Sequence, residues 1–416
     1  MLDLKFIREN PDFVKEKLAG KRVPPSQIDE LLSLDIDRRK TITEAEELKN
    51  KRNKLSEEVG RLKASGKPVD SLFLEGKTIS QKIDEIDAKV GDIDNRISNV
   101  LLNIPNIPDN SVPQGDPTKN QIIREWGRKP SFGFKPKDHL ILADKWLSME
   151  QGAKITGTAF PVYKGMGARL ERALINFMLD LHASKHGYEE IWPPALVNRA
   201  SMTGTGQLPK FEEDMYRLKD DDLFLIPTAE VPVTNLLRDE MLDEKNLPIK
   251  YVAYTPCFRR EAGSYGKDTK GLSRVHQFDK VEMVKFVKPE ESLNELESLV
   301  KDAEDILQAL EIPYRVVLLA SGDTSFSAAK CYDIEAWAPG SERWFEVSSC
   351  SVFTDFQARR MNIRYKPKDG KPKFVHTLNG SGVALARTVL CLLENHQQAD
   401  GTISFPKVLE PYLSLK

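Results

Sequence analysis

The sequence predicts an α+β protein in which an N-terminal antiparallel helical arm precedes a domain built on an antiparallel β-sheet flanked by helices. Three observations support this prediction. Apolar residues recur at steps of three and four through much of the first hundred residues, which is typical of a coiled coil. A proline-rich segment follows. Farther on, several β-rich runs are separated by turns alone, which favours hairpins over a parallel, doubly wound sheet.

Size and composition set the first limits. The 416 residues make two or three domains the expected number, and 40% hydrophobic with 30% charged residues is the composition of a soluble globular protein. The formal net charge of −2 means that any nucleic-acid contact must use local basic patches. Apolar runs are too short for a bilayer, and the charged N-terminus lacks a signal-peptide core. The four scattered cysteines form no CxxC pair, so we expect reduced thiols in a cytoplasmic protein with no membrane partner.

The first domain, residues 1–103, is predicted to contain a long heptad hairpin over about residues 26–101. Ser65–Pro68 is the expected reversal between its two arms. The second arm has the cleaner apolar seam: Ile79, Ile83, Ile86, Val90, Ile93, Ile97 and Val100. Between Arg38 and Lys67 ten cations stand against five acids. A solvated surface accounts for most of these charges, but the asymmetry indicates a surface for an RNA backbone.

Residues 104–118 contain four prolines and little hydrophobic periodicity, which predicts a stiff linker. Residues 119–416 then form the second domain. Its predicted helices cover residues 170–186, 292–310 and 381–395. Its predicted strands are Glu189–Trp192, Leu223–Ile226, Ile249–Tyr254, Val275–Val287, Tyr314–Leu319, Cys331–Trp337, Trp344–Val352 and Phe374–Leu378.

The segment Phe258–Glu282 is the most informative in the chain. An Arg–Arg–Glu cluster opens it, and a loop with three glycines and three cations leads to an alternating strand. Strand alternation places Phe278, Lys280 and Glu282 on one face. Taken alone, Arg260 or Lys280 is best explained as an ordinary surface cation. The whole cluster instead predicts a polyphosphate site in which arginines on a sheet hold the phosphates.

Three further segments concentrate polar side chains. Thr228–Glu230 follows an apolar strand, Glu346–Ser349 lies within another, and Asn379–Gly382 leads toward Arg387. A capped turn explains each segment alone, but an arginine among apolar neighbours needs an anion or a π-face. His182 and His186 stand four apart without a third candidate ligand, so we expect them to be structural rather than metal-binding.

These segments resemble the sequence motifs of one enzyme family. The run GYEEIWPP at 187–194 is similar to class II motif 1, FRREAG to HQFDKVE is similar to motif 2, and NGSGVALAR is similar to motif 3. TGTGQLPKF and PTAE are further hallmarks. Together with the arm they resemble the bacterial seryl-tRNA synthetases, which are class II aminoacyl-tRNA synthetases, across essentially the whole chain. The prolyl and threonyl relatives share the TxE and FRxE elements but lack the arm, as do seryl-like ligases that load carrier proteins. A non-catalytic paralogue would be expected to have lost its arginines and glutamates.

The resemblance implies roles by position. Arg259, Glu261 and Arg387 would be catalytic, with Phe278 and Arg387 on the two sides of the adenine. The ATP site would comprise Arg259, Arg260, Glu261, Val275, Phe278, Glu346, Val347, Ser348, Ser349 and Arg387. The L-serine site would comprise Thr228, Ala229, Glu230, Arg259, Glu282 and Ser381. Glu346 and Ser349 would place Mg²⁺. Since they stand three positions apart, these two share a strand face only if a bulge or a strand end intervenes.

The implied reaction is activation of L-serine with ATP to seryl-adenylate and pyrophosphate, followed by transfer to the 3′ end of tRNA(Ser), with tRNA(Sec) as a further candidate. The resemblance also implies a homodimer in which the arm holds the long variable arm of the tRNA. The motif 2 loop, Lys267–Arg274, would contact the acceptor end.

Overall fold

The computed structural model describes residues 1–261, 270–368 and 370–414. Contacts divide the chain into residues 2–105 and a larger unit made of Met1 and the residues from 106 onward. The predicted linker therefore spans the point of division. Asn106, on the larger side, donates hydrogen bonds to the carbonyls of Ser327 and Phe353 at 2.9 and 2.7 Å.

The smaller unit is helical throughout its length. Its helices are α1 (Leu4–Glu9), α2 (Pro11–Ala19), α3 (Pro25–Ala64) and α4 (Asp70–Leu102). Ion pairs join Arg38 to Asp94 and Lys49 to Asp87. Because the partner number falls along α4 as the number on α3 rises, the two helices are antiparallel. The predicted coiled-coil hairpin is confirmed, with its reversal at residues 65–69.

The seam of the hairpin is apolar mainly on the α4 side. Ile79, Ile83, Ile93 and Ile97 are buried, whereas the buried positions of α3 end at Ala45. Farther along α3, Leu48, Leu55, Val59 and Leu62 are only half-buried. At 1.5 Å per residue, α3 is about 60 Å long. Its basic half is therefore held by a thin apolar seam and leaves most charges in solvent.

The larger unit is organised around an eight-stranded sheet. The strands of the unit are β1 (Gln121–Trp126), β2 (Leu147–Ser148), β3 (Val162–Tyr163), β4 (Glu189–Ile191), β5 (Leu196–Asn198), β6 (Leu223–Leu225), β7 (Met241–Asp243), β8 (Ile249–Phe258), β9 (Gln277–Val287), β10 (Tyr314–Leu318), β11 (Lys330–Ala338), β12 (Arg343–Val352), β13 (Arg364–Lys366), β14 (Lys373–Phe374) and β15 (His376–Ala384). The order in the large sheet is β1-β10-β11-β12-β15-β9-β8-β4. Among the described residues its pairs are antiparallel except β4 with β8.

Helices cover both faces of this sheet. They are α5 (His139–Leu142), α6 (Met149–Ile155), α7 (Met166–Ser184), α8 (Arg199–Thr205), α9 (Glu230–Asn235), α10 (Ser292–Ala309), α11 (Phe356–Met361), α12 (Leu385–Asn395) and α13 (Glu410–Leu413). The main core joins α7, α10 and α12 to Val281 and Met283 of β9. A second cluster joins α9 and α11 to Val284 and Phe286. The alternation of β9 thus divides its side chains between two cores.

Several predicted boundaries were wrong. The helix predicted from Leu170 begins at Met166, and the strand predicted to end at Tyr254 continues to Phe258. Two further differences lie close to the polar segments. The helix predicted from Ser381 begins at Leu385, because β15 continues to Ala384. Gly380 and Ser381 pair with Met283 and Glu282 across the sheet. The segment is therefore part of a β-strand and not the capped turn that would explain it alone. The strand predicted from Val275 begins at Gln277. No helix among the described residues has the length and apolarity that a membrane span requires.

We predict that Ile83→Ala loosens the coiled-coil hairpin. Ile83 is 2% exposed, and truncating a buried isoleucine to alanine costs about 2–5 kcal/mol. Amide hydrogen exchange in α3 and α4 of the full chain should therefore become faster. Ile36→Ala is the matched control, because Ile36 of the same unit is 58% exposed. Equal exchange in the two variants would contradict the packing described.

Candidate active site

A cavity of about 560 Å³ opens on the face of the large sheet. It brings together most of the residues that the sequence singles out. Those that line it are Thr228, Glu230, Arg259, Glu261, Val275, Phe278, Glu282, Glu346, Val347, Ser348, Ser349, Ser381 and Arg387. Thr205, Gly206, Gln207 and Phe211 of the TGTGQLPKF segment line it as well. Segments that lie far apart in the sequence therefore share one site.

Strand β9 supplies the floor of the cavity. Phe278, Lys280 and Glu282 alternate on the cavity side, and Val284 and Phe286 continue that face into the second core. On β9 the intervening Val281 and Met283 enter the main core. Both faces of β9 are thus anchored by apolar packing. This packing fixes the backbone that carries the three side chains on the cavity side.

One end of the cavity holds a buried ionic cluster. The ammonium of Lys280 lies 2.6 Å from Glu282 Oε2 and donates to the hydroxyl of Thr228 at 2.7 Å. Glu282 also accepts from Asn379 at 2.9 Å and from the Ser381 hydroxyl at 3.2 Å. Lys280 and Glu282 are 5% and 1% exposed. The expectation that Lys280 alone is a surface cation was therefore wrong, and it belongs to the site.

Glu230 lies at the same end, at the start of α9. Burial raises the pKa of its carboxyl to about 7, and the charge of Glu282 adds to the effect. The Gln357 amide donates to Glu230 at 2.6 Å, and the Thr377 hydroxyl donates to Gln357 Oε1 at 2.7 Å. Gln357 is fully buried, so this chain fixes the orientation of the Glu230 carboxylate. Near neutral pH that carboxylate exchanges readily with its protonated form.

The other end of the cavity is lined by cationic and aromatic groups. The Arg259 guanidinium lies 5.2 Å from the centre of the Phe278 ring and donates to the Pro227 carbonyl at 3.3 Å. Arg274 pairs with Glu261 at 2.7 Å. Arg259 is thus oriented by backbone and ring contacts while remaining exposed to the cavity.

A bulge in β12 decides which side chains face the cavity. The register with β11 shifts between Ile334 and Glu335, which pair with Ser348 and Glu346 and so leave Val347 as the extra residue. Glu346 and Ser349 consequently both line the cavity, although an odd interval separates them. The bulge required by the sequence argument is present.

Asp333 of β11 is a cavity residue that the sequence analysis did not identify. It pairs with Ser349 across the strands. Burial raises the pKa of its carboxyl well above the ordinary value, and the nearby charge of Glu346 adds to this. Alternation on β11 was visible in the sequence, but the register that sets Asp333 beside Ser349 depends on the bulge.

Arg387 connects the segment that contains Ser273 to strand β12. It donates to the Ser273 carbonyl at 2.9 Å and to the Glu346 carbonyl at 2.8 Å, and its guanidinium lies 3.3 Å from Glu346 Oε2. The anion that the sequence predicted for this arginine is therefore Glu346. These contacts orient the guanidinium at the edge of the cavity.

Two of the predicted residues do not line the cavity. Arg260 donates to the carbonyl of Glu213 at 3.0 Å, so its expected place in the ATP site stays a prediction. Ala229 packs in the second core instead. The loop was predicted at Lys267–Arg274. Its part up to residue 269 lies outside the described residues.

Comparison with known proteins identifies the family of the chain. Residues 210–396 match the model of the tRNA synthetase class II core domain (G, H, P, S and T), and residues 1–108 match that of the seryl-tRNA synthetase N-terminal domain. The chain is 56% identical to a serine–tRNA ligase of Clostridium tetani, covering 100% of this chain and 99% of the relative. It is 55% identical to one of Chloroherpeton thalassium, covering 99% of each.

Solved structures show the same likeness. A seryl-tRNA synthetase of Pyrococcus horikoshii complexed with ATP superposes with a TM-score of 0.94 at 41% identity, covering 100% of this chain and 99% of the other. The sheet and its cavity define the catalytic core of a class II aminoacyl-tRNA synthetase. With its N-terminal helical hairpin, the chain belongs to the seryl-tRNA synthetase family.

We predict that Lys280→Met destabilises the enzyme in a pH-dependent way. Removing one partner of a buried ion pair costs about 3–5 kcal/mol. The Lys280 charge lowers the pKa of Glu230, so its loss raises that pKa further. Since protonation of Glu230 relieves the uncompensated charge, the loss of thermal stability should be larger at pH 8 than at pH 6.

Lys245→Met is the control for this measurement. Lys245 pairs with Asp243 at 2.9 Å, but its side chain is 73% exposed, and exposed pairs contribute about 0–1 kcal/mol. Equal melting temperatures for the two variants at both pH values would contradict the buried cluster.

Proposed function

We propose that this protein is a serine–tRNA ligase. It activates L-serine with ATP to seryl-adenylate and pyrophosphate and then transfers serine to the 3′ end of tRNA(Ser). The observation that carries the proposal is one cavity with two chemically different ends. Buried carboxylates at one end suit a small amino acid, and arginines with an aromatic ring at the other suit a nucleotide. The relatives that match over the whole chain are serine–tRNA ligases, which supports this choice.

The first step joins the serine carboxylate to the α-phosphorus of ATP and expels pyrophosphate. The nucleophile is already an anion, so the step needs no protein base. The protein contributes positioning and charge neutralisation. Arg259 would hold the α-phosphate, and Phe278 and Arg387 would enclose the adenine. The existing contacts of Arg387 with Ser273 and Glu346 would keep the guanidinium in place before ATP binds.

The residues at this end also fit Mg²⁺. Glu346, Ser349 and Asp333 present oxygen donors, and the raised pKa of Asp333, caused by burial and then by Glu346, indicates a site short of positive charge. No group of three His, Cys, Asp or Glu residues suited to a metal occurs in the described ranges. This sparse set agrees with Mg²⁺, which takes one or two carboxylates with substrate phosphates and water. When bound, the ion would neutralise charge on the phosphates.

Serine would be recognised by the buried cluster. The Glu230 carboxylate would take the ammonium group. Glu282 would accept the serine hydroxyl, with Thr228 and Ser381 beside it. A buried carboxylate aimed at a hydroxyl disfavours alanine, because its binding would leave the carboxylate without that partner. Lys280 would hold the Glu282 carboxylate in a fixed orientation through their 2.6 Å contact.

The tRNA would bind through two surfaces. The basic half of the coiled-coil hairpin, with ten cations and five acids between Arg38 and Lys67, suits a phosphate backbone. The loop up to Arg274 would contact the acceptor end, where the terminal ribose hydroxyl attacks the activated carbonyl. We also propose a homodimer in which the hairpin of one copy serves the cavity of the other.

Glu282→Gln tests the proposed reaction. The amide cannot replace the charge-assisted bonds of the carboxylate, so serine-dependent ATP–pyrophosphate exchange should fall by about a hundredfold. Glu335→Gln is the control, since Glu335 lies on the same sheet but pairs with Arg315 outside the cavity. Exchange supported by proline or threonine in the unaltered enzyme, without serine activity, would refute the proposed substrate.

The ionisation of Glu230 predicts a pH dependence. Only its carboxylate form binds an ammonium group, and the pKa is about 7. The KM for serine should therefore fall about tenfold from pH 6 to pH 8, while the KM for ATP changes little. Gln357→Leu removes a hydrogen bond that lowers this pKa, so the fall should move to higher pH. An unshifted profile in that variant would contradict the role of Gln357.

A further inference from the structure

A pair of histidines that the proposed chemistry does not use, His182 and His186, includes one that contacts an active-site strand. His182 of α7 is fully buried, and its Nε2 lies 3.1 Å from the carbonyl oxygen of Gly382. Gly382 follows Ser381, whose hydroxyl donates to Glu282. A Cβ at Gly382 would lie 2.3 Å from that His182 nitrogen. The ring is therefore packed directly against the backbone that presents Ser381.

The backbone at this point departs from the regular ladder. Ser381 pairs with Glu282, but the next pair is Ala384 with Lys280, so one extra residue is accommodated at 382–383. Bulges of this kind redirect the following side chains. Here the bulge separates Ser381 from helix α12, which begins at Leu385 and contains Arg387. Along the chain, Gly382 thus lies between Ser381 and Arg387, which both line the cavity.

Hydrogen-bond roles along the histidine pair follow from the acceptors at its two ends. A carbonyl only accepts, so His182 Nε2 carries a proton. Burial lowers the pKa of His182 to about 4, so its Nδ1 carries none and must accept. Its partner is His186 Nδ1 at 2.9 Å, which therefore donates. His186 Nε2 lies 3.0 Å from Asp305 Oδ2 and donates as well.

Several charged groups surround His186 and fix its position. Asp302 lies 3.9 Å from its Nε2. Lys185 shares Asp305 at 2.6 Å. The Tyr188 hydroxyl donates to Asp302, and the ammonium of Lys285 lies 3.7 Å from it. The remaining charged groups nearby are Glu295, which pairs with Lys285, and Lys250, which lies over the Tyr188 ring.

We propose that His182 is a positioning residue for serine binding, and that His186, held in place by Asp305, enforces the tautomer in which His182 donates to Gly382. The proposal rests on the assignment of Glu282 and Ser381 to the serine site. His182 touches neither substrate in this scheme. It acts by fixing the Gly382 carbonyl, and through it the Ser381 hydroxyl.

Variants at position 182 separate the donor from the packing. His182→Leu removes the donor, and His182→Gln can retain it at the Nε2 position. The first should raise the KM for serine about tenfold, the size expected for one unsatisfied buried acceptor, with a smaller change in kcat. The second should restore most of the affinity. His396→Leu is the control, because it removes a similar contact, Nε2 to the Leu310 carbonyl at 2.8 Å, outside the cavity. Equal KM values for His182→Leu and His182→Gln would overturn the proposal.

Histidine nitrogen NMR of the substrate-free enzyme provides a readout independent of activity. The chain has six histidines, and loss of signals in His182→Gln and His186→Asn assigns these two. We expect His182 as the neutral Nε2–H tautomer, with the proton on the nitrogen that faces Gly382. Asp305→Asn removes the carboxylate that holds His186 and should weaken this preference. An Nδ1–H tautomer of His182 in the unaltered enzyme would refute the mechanism. If exchange with serine were absent while the NMR expectation held, the proposed function alone would fail.

Discussion

The arrangement of the cavity depends on one constraint: charged side chains that are buried away from water must be neutralised by one another. Lys280 and Glu282 lie on one strand face and are almost entirely buried, and Glu230 lies near them. A buried ion requires a close partner of opposite sign. One ammonium facing two carboxylates leaves negative charge in excess, which is consistent with the raised pKa that burial and Glu282 impose on Glu230. A cationic amino group is the ligand that such an imbalance favours.

This constraint also explains why the surrounding framework is so regular. Antiparallel pairing holds β8, β9 and β15 in register beneath the cluster. Side chains on the far face of β9 enter the main core. If the same ionic groups lay on a flexible loop, bringing them together would cost more conformational entropy. On a sheet packed on both faces, the geometry is present before any substrate arrives.

Structural features that follow from a short repeat of apolar and polar residues could be predicted from the sequence. The heptad steps gave the hairpin, and the alternation of Phe278, Lys280 and Glu282 gave the floor of the cavity. Features that depend on distant partners could not be predicted in this way. The burial of Lys280 requires Thr228 from another segment, Gln357 reaches Glu230 across 127 positions, and the place of Asp333 depends on strand register. The contact of Arg260 is of the same kind, since it donates to the carbonyl of Glu213 from a distant segment.

The bulge at Val347 has a consequence for how this strand can change. In a regular strand, successive side chains alternate between the two faces of the sheet. The bulge interrupts this alternation once between Glu346 and Ser349. Deleting a single residue there would turn one of these polar side chains into the core and bring an apolar one to the nucleotide end. A residue added in the turn at 339–342 leaves that alternation untouched. Tolerance to length variation should therefore differ sharply between two places only a few residues apart on the same hairpin.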